Sequence, residues 1–338
     1  MKLDIHKSHL WVASGCKPLD KKDKQLLNLL YLNSRMSFIQ MGKKLQLSSS
    51  AVERRMRKLQ DSGVVNQVFA AVNLAKLGLK AYRLYFKFDV MDKKTEEEVK
   101  QVFRDYSRTV WGVICQGEYD VLWRIVAKDE NEVEDAAYIM IEKFGRHIIE
   151  KTIIMTTYHT FLSWNSAFDC RREAEIPIEK TVSTTVLDNK DMLLLSALNN
   201  NSRETTIALA KIAGLSPDAV RYRIKKLIRE QYILGFTAWY DSRKLGFEYY
   251  KILITFRSIT RPKEKEFLNY CIEKDQVVFI NKCIGGWDME VDIIVRNAKE
   301  LHDFVADFKT NFGSIIGKHT FITAIDDTLF NPLRGEIQ

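Results

Sequence analysis

Residues 47–59 read Leu-Ser-Ser-Ser-Ala-Val-Glu-Arg-Arg-Met-Arg-Lys-Leu, and residues 215–227 read Leu-Ser-Pro-Asp-Ala-Val-Arg-Tyr-Arg-Ile-Lys-Lys-Leu. Each stretch opens on a serine, Ser48 or Ser216, whose hydroxyl can accept the free amides of a helix start. Pro217 takes the first helical position, where its missing N–H costs nothing. Val52, Met56 and Leu59 fall at i, i+4 and i+7 and predict one buried stripe, as do Val220, Ile224 and Leu227. The polar face left outside carries Ser49, Ser50, Arg54, Arg55, Arg57 and Lys58 in the first stretch. In the second it carries Asp218, Arg221, Tyr222, Arg223, Lys225 and Lys226.

Working backward, a tight turn precedes each stretch, Gln46-Leu47 or Gly214-Leu215, and before it the pattern predicts a short helix over 38–45 or 205–213. A longer helix with one apolar face, 20–32 or 188–198, comes first. Two helices, a tight turn and a third helix with a cationic outer face are the parts of a helix-turn-helix.

Working outward, one shift of 168 residues aligns a first copy at roughly 19–164 with a second at 187–332 without gaps. Leu19-Asp20 matches Leu187-Asp188, Asn33-Ser34-Arg35 matches Asn201-Ser202-Arg203, and Leu77-Gly78 matches Leu245-Gly246. Far downstream, Cys115, Gly117, Asp120 and Phe144-Gly145 still match Cys283, Gly285, Asp288 and Phe312-Gly313. The chain is an internal duplication. Between the copies, 165–186 is polar and mixed in charge and reads as a linker.

The net charge of +8 is not spread evenly. Residues 19–65 carry +6 and residues 187–233 carry +3, which leaves −1 for the rest. A charge run is usually a solvated face, but two copies of one turn and cap that hold all the net charge point to phosphate neutralisation. No apolar run is long enough for a membrane helix, and no apolar segment of secretory type follows Met1. Five cysteines with no C-x-x-C pair (Cys16, Cys115, Cys170, Cys271, Cys283) fit neither a zinc site nor a disulfide framework. The expectation is a cytoplasmic, nucleoid-associated protein that needs no cofactor and touches no membrane.

The remainder of each copy alternates strand and helix. Strands are predicted at 79–90, 110–115, 121–127 and 147–158, with helices at 95–106 and 131–144; in the second copy 249–256 reads as the first strand. The order βαββαβ is the ferredoxin-like unit, and the fold class is α+β. The expected map is an N-terminal extension 1–18, a winged or plain helix-turn-helix at 19–66, a ferredoxin-like domain at 67–164, a linker at 165–186, a second helix-turn-helix at 187–234 and a second ferredoxin-like domain at 235–332.

Both copies resemble the Lrp/AsnC, or feast/famine, family of transcription regulators. The resemblance is carried by Leu-Asp-x-x-Asp at 19–23 and 187–191, Leu215-Ser216-Pro217 with Arg223, and Gly235-Phe236-Thr237-Ala238 with Asp241. The Gly-x-x-Asp loops at 117–120 and 285–288 carry it too. Copy one departs from the pattern at Ser49, Gln67 and Phe69-Ala70-Ala71. The resemblance implies a DNA-binding regulator, not an enzyme, whose second domain pairs through its sheet and binds a small effector such as an amino acid. The site then lies near Gly117, Tyr119 and Asp120, or Gly285, Trp287 and Asp288. It also implies an intramolecular pseudo-dimer in place of the usual homodimer, open to further homo-oligomerisation, with double-stranded DNA as partner.

Other readings compete for some of these residues. The two loops serve equally as hairpin turns, since Gly and Asp supply turn conformations. Cys115 and Cys283 read as small buried hydrophobes. A related enzyme class, the sirohaem decarboxylases, pairs two such units and uses histidines, but His147, His159 and His319 do not repeat between the copies. An architectural protein that wraps DNA without an effector is the third possibility.

Overall fold

The computed structural model of the chain describes residues 19–170, the backbone of 175–178, and residues 187–334. The expected extension 1–18, with Cys16, and most of the expected linker lie outside the described residues.

Capping sets where the first helices begin. Asp20, Ser37 and Ser48 each accept a hydrogen bond from the amide three residues on, opening α1 (Lys21–Asn33), α2 (Phe38–Leu45) and α3 (Ser49–Asp61). A strand β1 (Val65–Val72) and a 3-10 turn (Leu74–Leu77) follow. Next come β2 (Lys80–Phe88), α4 (Lys93–Asp105), β3 (Thr109–Gly117), β4 (Val121–Ala127), α5 (Glu130–Phe144) and β5 (Ile148–Leu162). A one-turn α6 (Asn165–Phe168) and β6 (Glu175–Ile178) lead to the second copy. There α7 (Asn189–Asn200), α8 (Thr206–Ala213), α9 (Pro217–Arg229), β7 (Ile233–Tyr240) and β8 (Glu248–Phe256) repeat the series. It ends with α10 (Arg261–Glu273), β9 (Val277–Ile284), β10 (Met289–Val295), α11 (Ala298–Phe312) and β11 (Ile316–Leu329).

Each βαββαβ unit forms its own four-stranded antiparallel sheet, and the two sheets join edge to edge. The strand order β2-β4-β3-β11-β8-β10-β9-β5 closes on itself through β5 and β2, so eight strands make a barrel with no free edge between them. The outer face of each sheet is covered by its two helices, over a core that includes Phe103, Trp123 and Met140 in copy one and Phe267, Phe308 and Val291 in copy two.

Closure explains where the strand expectations fell short. The strand expected at 147–158 runs on to Leu162, because its second half leaves β2 and pairs with β9 of the other copy. β11 does the same, pairing first with β8 and then with β3. The expected domain boundaries at 66/67 and 234/235 fall inside β1 and β7. Among the described residues these two strands join neither ferredoxin-like sheet and pair only with each other, Phe69 opposite Thr237, as a separate hinge sheet. The expected linker also begins too early. Trp164, Ala167 and Phe168 are buried, and Trp164 and Phe168 stand edge-on to Tyr240 at 5.5 and 5.1 Å.

The heads are exchanged across the hinge sheet. α1 packs on β7, where the Tyr240 hydroxyl donates to the Leu27 carbonyl at 2.7 Å. α7 packs on β1, where Asn199 Nδ2 donates to the Ala70 carbonyl at 2.9 Å. Each reading head is thus completed by a strand of the other copy.

Candidate nucleic-acid interface and effector cavities

The two heads meet at residues the duplication left identical. Ser34 Oγ and Ser202 Oγ share a hydrogen bond of 2.7 Å. Around it the backbone-directed hydrogen bonds are answered in reverse. Arg35 donates to the carbonyls of Ser202 and Glu204, while Arg203 donates to those of Ser34 (2.7 Å) and Met36 (2.9 Å). The Ser34 amide donates to the Phe236 carbonyl, and the Ser202 amide to that of Val68. Phe69 and Thr237, which face each other in the hinge sheet, are also equivalent positions. An internal two-fold axis therefore passes between Ser34 and Ser202 and on between β1 and β7, and it relates α3 to α9.

Both third helices start as expected, with Ser48 capping the Ala51 amide and Ser216 that of Ala219. The preceding turn needs a left-handed residue. Gly214 takes it at φ 60°, but in copy one the same conformation, φ 55°, falls on Gln46.

The outer faces are open. Ser49, Ser50, Arg54, Arg57 and Lys58 are exposed on α3, with Arg57 held to Glu53 at 2.5 Å. On α9, Asp218, Arg221 and Lys225 are exposed, Lys226 is half-buried, and Tyr222 shows 66% of its surface. Asp218 and Arg221 pair with each other.

Arg55 and Arg223 depart from their expected place on that face. Arg55 turns inward to Asp20 (2.7 Å) and Asp23 (2.6 Å), and Arg223 to Asp188 (2.8 Å) and Asp191 (2.7 Å). Asp23 and Asp191 are only 2% exposed, so each carboxylate needs its arginine. Burial raises the Asp20 and Asp188 carboxyls, but the amides they cap and these guanidinium groups outweigh it and hold both below the usual range. The two arginines clamp the third helix to the first.

The Gly-x-x-Asp loops lie at the far end of the barrel from the heads. Gly117 and Gly285 adopt φ 127° and 137°, and a Cβ there would strike the Phe321 carbonyl at 2.4 Å or that of Ile153 at 2.9 Å. Asp120 and Asp288 accept the amides of Phe88 (2.8 Å) and Phe256 (2.7 Å) and lock the turns. Tyr119 and Trp287 are buried with ring centroids 6.0 Å apart, so the loops of the two copies converge on one cavity of about 210 Å³. Its polar lining includes Glu118, Glu150, Thr152, Lys318 and Thr320.

Sequence reasoning missed the barrel interior. Arg83, Lys251, Glu290 and Asp292 are buried there in one network. Glu290 takes Arg83 Nε at 3.2 Å and Lys251 Nζ at 3.1 Å, and Lys251 also meets Asp292 at 2.5 Å. Tyr85 and the Trp287 indole donate to Glu290 at 2.8 and 3.1 Å. Burial alone would raise Glu290, but the two cations pull its carboxyl down to about 2. Cys115 and Cys283 are buried nearby, and burial pushes both thiols up, away from thiolate chemistry. His147 stands exposed beside Asp89, whereas His159 is buried in the barrel.

Comparison with known proteins agrees with this geometry. A model of the AsnC-type helix-turn-helix domain matches residues 19–60 and 187–228. The HTH-type transcriptional regulator Ptr1 of Methanocaldococcus jannaschii is 32% identical over 122 residues, 36% of this chain and 81% of that protein. The proline dehydrogenase transcriptional activator of Rhizobium radiobacter is 28% identical over 140 residues, 41% of this chain and 90% of its own length. Among solved structures, the siroheme decarboxylase NirDL aligns over 94% of this chain and 97% of its own, with a TM-score of 0.61 at 11% identity, a likeness of fold.

Proposed function

The chain belongs to the Lrp/AsnC family of DNA-binding transcription regulators, and from that premise we propose that one chain reads one unequal pair of half-sites under the control of a small effector. The reading is carried by the reciprocal contact at Ser34 and Ser202, which pairs α3 and α9 about a two-fold axis within a single chain. Two third helices so related meet successive major grooves, with half-site centres roughly 10 base pairs apart or a multiple of that. The outward residues differ, and with them the bases favoured. Arg54 donates to guanine or phosphate, whereas Asp218 accepts from cytosine N4 and repels phosphate. Fusion keeps the second head at high effective concentration.

The effector fits the cavity shared by Tyr119 and Trp287. Glu118 and Glu150 suit an ammonium group and Lys318 a carboxylate, the two ends of an amino acid. A regulator of this kind works on chromosomal DNA in the cytoplasm and needs no catalytic step; assembly into larger homo-oligomers belongs to the same reading.

Charge reversal tests the first half. Arg54→Glu with Arg57→Glu, or Arg221→Glu with Lys225→Glu, should weaken duplex binding at least tenfold. Each should also flatten the salt dependence by ~0.9 log units per log unit for every phosphate that is no longer neutralised. Unchanged affinity in the four-site variant, or a symmetric consensus selected from random DNA, contradicts the reading. For the second half, amino acids that shift wild-type DNA affinity should lose that effect in Lys318→Gln.

A further inference from the structure

At the barrel mouth beneath the hinge sheet lies a second cavity, of about 70 Å³. Its roof comes from Phe69, Ala71 and Val72 of β1, Trp239 of β7 and Asn199 of α7, and its walls include Trp111, Phe161 and Phe279. Polar groups gather at the floor. Arg124 lines the cavity, and among the described residues it makes neither an ion pair nor a hydrogen bond; its Nε is buried without a partner.

His159 is 5% exposed and lines the same space. Its Nδ1 meets Asn281 Oδ1, an oxygen that also accepts from Arg83 at 2.7 Å, while Asn281 Nδ2 donates to Glu290 at 3.3 Å. That network makes Nδ1 the protonated nitrogen and leaves Nε2 without a partner among the described residues, on a side chain that lines the cavity. Asp292 also lines the space, but its charge is met by Lys251 at 2.5 Å. Glu290 and Asp292 are thus committed to Arg83 and Lys251, and the nearby Asp327 accepts the Trp111 and Trp239 indoles at 2.9 and 3.1 Å, so that none of the three reaches Arg124. Arg124 is half-buried, and its buried Nε, a donor without an acceptor, carries a desolvation cost that a bound anion would relieve.

We propose that this mouth is a binding site for a small aliphatic or aryl carboxylate, held by Arg124 and His159 under the aromatic roof. Size limits the class. A cavity of about 70 Å³ is far short of the roughly 300 Å³ at which pockets for drug-sized ligands begin, and shorter still of a tetrapyrrole. Because the roof belongs to the hinge sheet and to α7, an occupant ties the reading heads to the barrel. The site is separate from the cavity at Tyr119 and Trp287.

The test uses the full chain without DNA, by calorimetry and by the fluorescence of Trp111 and Trp239, with acetate, isobutyrate, benzoate and the neutral isobutyramide as probes. At least one of the three acids should bind with perturbed tryptophan emission, isobutyrate should bind at least tenfold tighter than isobutyramide, and Arg124→Gln should cost at least tenfold. Should Arg124→Gln fail to fold, the acid-against-amide comparison on wild type still decides. Equal binding of acid and amide, undiminished binding to folded Arg124→Gln, or no binding of any acid at millimolar concentration overturns the proposal. DNA affinity, measured without acid, would be untouched by that failure, so the regulator reading stands or falls separately.

Discussion

Around Ser34 and Ser202, contacts of copy one return 168 residues later with the same atoms. Inside the barrel the equivalent positions have parted. Arg83 answers to Lys251, but Arg124 answers to Asp292, Glu290 to Leu122, His159 to Asp327 and Trp239 to Ala71. A reciprocal contact constrains both copies at once, because one altered residue breaks bonds on both sides of the axis. A contact between unlike residues leaves each copy free to specialise. Copy one holds Arg83, Arg124 and His159 in the interior, while copy two holds Lys251 together with the acids Glu290 and Asp292. Two copies of the first kind would bring arginines together without Glu290, so the interior favours pairing of one with two, which is specificity by exclusion as well as attraction.

The strongest way to break that complementarity is to give copy two the residue of copy one. Glu290→Leu should cost ~3–5 kcal/mol, because it leaves Arg83 and Lys251 buried without their shared carboxylate. Denaturant unfolding of the full chain measures it. A loss below ~1 kcal/mol would mean that the network holds no copy-specific charge.

Next in size is a pH effect. Burial, with Arg124 and Arg83 close by, holds His159 well below its ordinary 6.5. The unfolded chain takes up a proton near that value and the native one does not. Stability is therefore full above about 6.5 and falls as pH drops below it, by at most ~1.4 kcal/mol per unit. His159→Phe should flatten this slope in unfolding curves taken at pH 7 and pH 5.5, roughly the window concerned. His319, also depressed by partial burial, leaves a residual slope in both proteins. Identical slopes would place the titration elsewhere.

The smallest effect sharpens the comparison of the heads. Gln46→Gly should stabilise copy one by ~0.5–1 kcal/mol by relieving the left-handed turn, and Gly214→Gln should lose about the same in copy two. Opposite signs in thermal melts check it.

These contrasts also mark what the sequence made legible. The helices, their caps and the strand order could be read because each depends on residues a few positions apart, such as Ser48 with Ala51 or Val52 with Met56. Arg55 and Arg223 misled because helical spacing alone places them near the outer face, while the aspartates that turn them inward lie 35 and 32 residues earlier. The barrel interior could not be read for a related reason. Lys251, Glu290 and Asp292 alternate with apolar residues as if on a solvated sheet face, and only the other copy turns that face inward. The Gly-x-x-Asp loops could be located, but not the convergence of Tyr119 and Trp287 on one cavity.

Closure of the barrel through β3–β11 and β5–β9 sets an order of events during synthesis. Copy one leaves the ribosome with one edge of β3 and the tail of β5 still awaiting their partners in copy two. At ~5–20 residues per second the 168 residues that complete the ring take roughly 10–30 s to follow. Throughout that interval the inner face of the half-barrel is wet, and Arg83, Arg124 and His159 suit it to water rather than to a neighbouring chain. The same charges that later need Glu290 first act as a guard on an unfinished edge, and the arriving acids of copy two retire it.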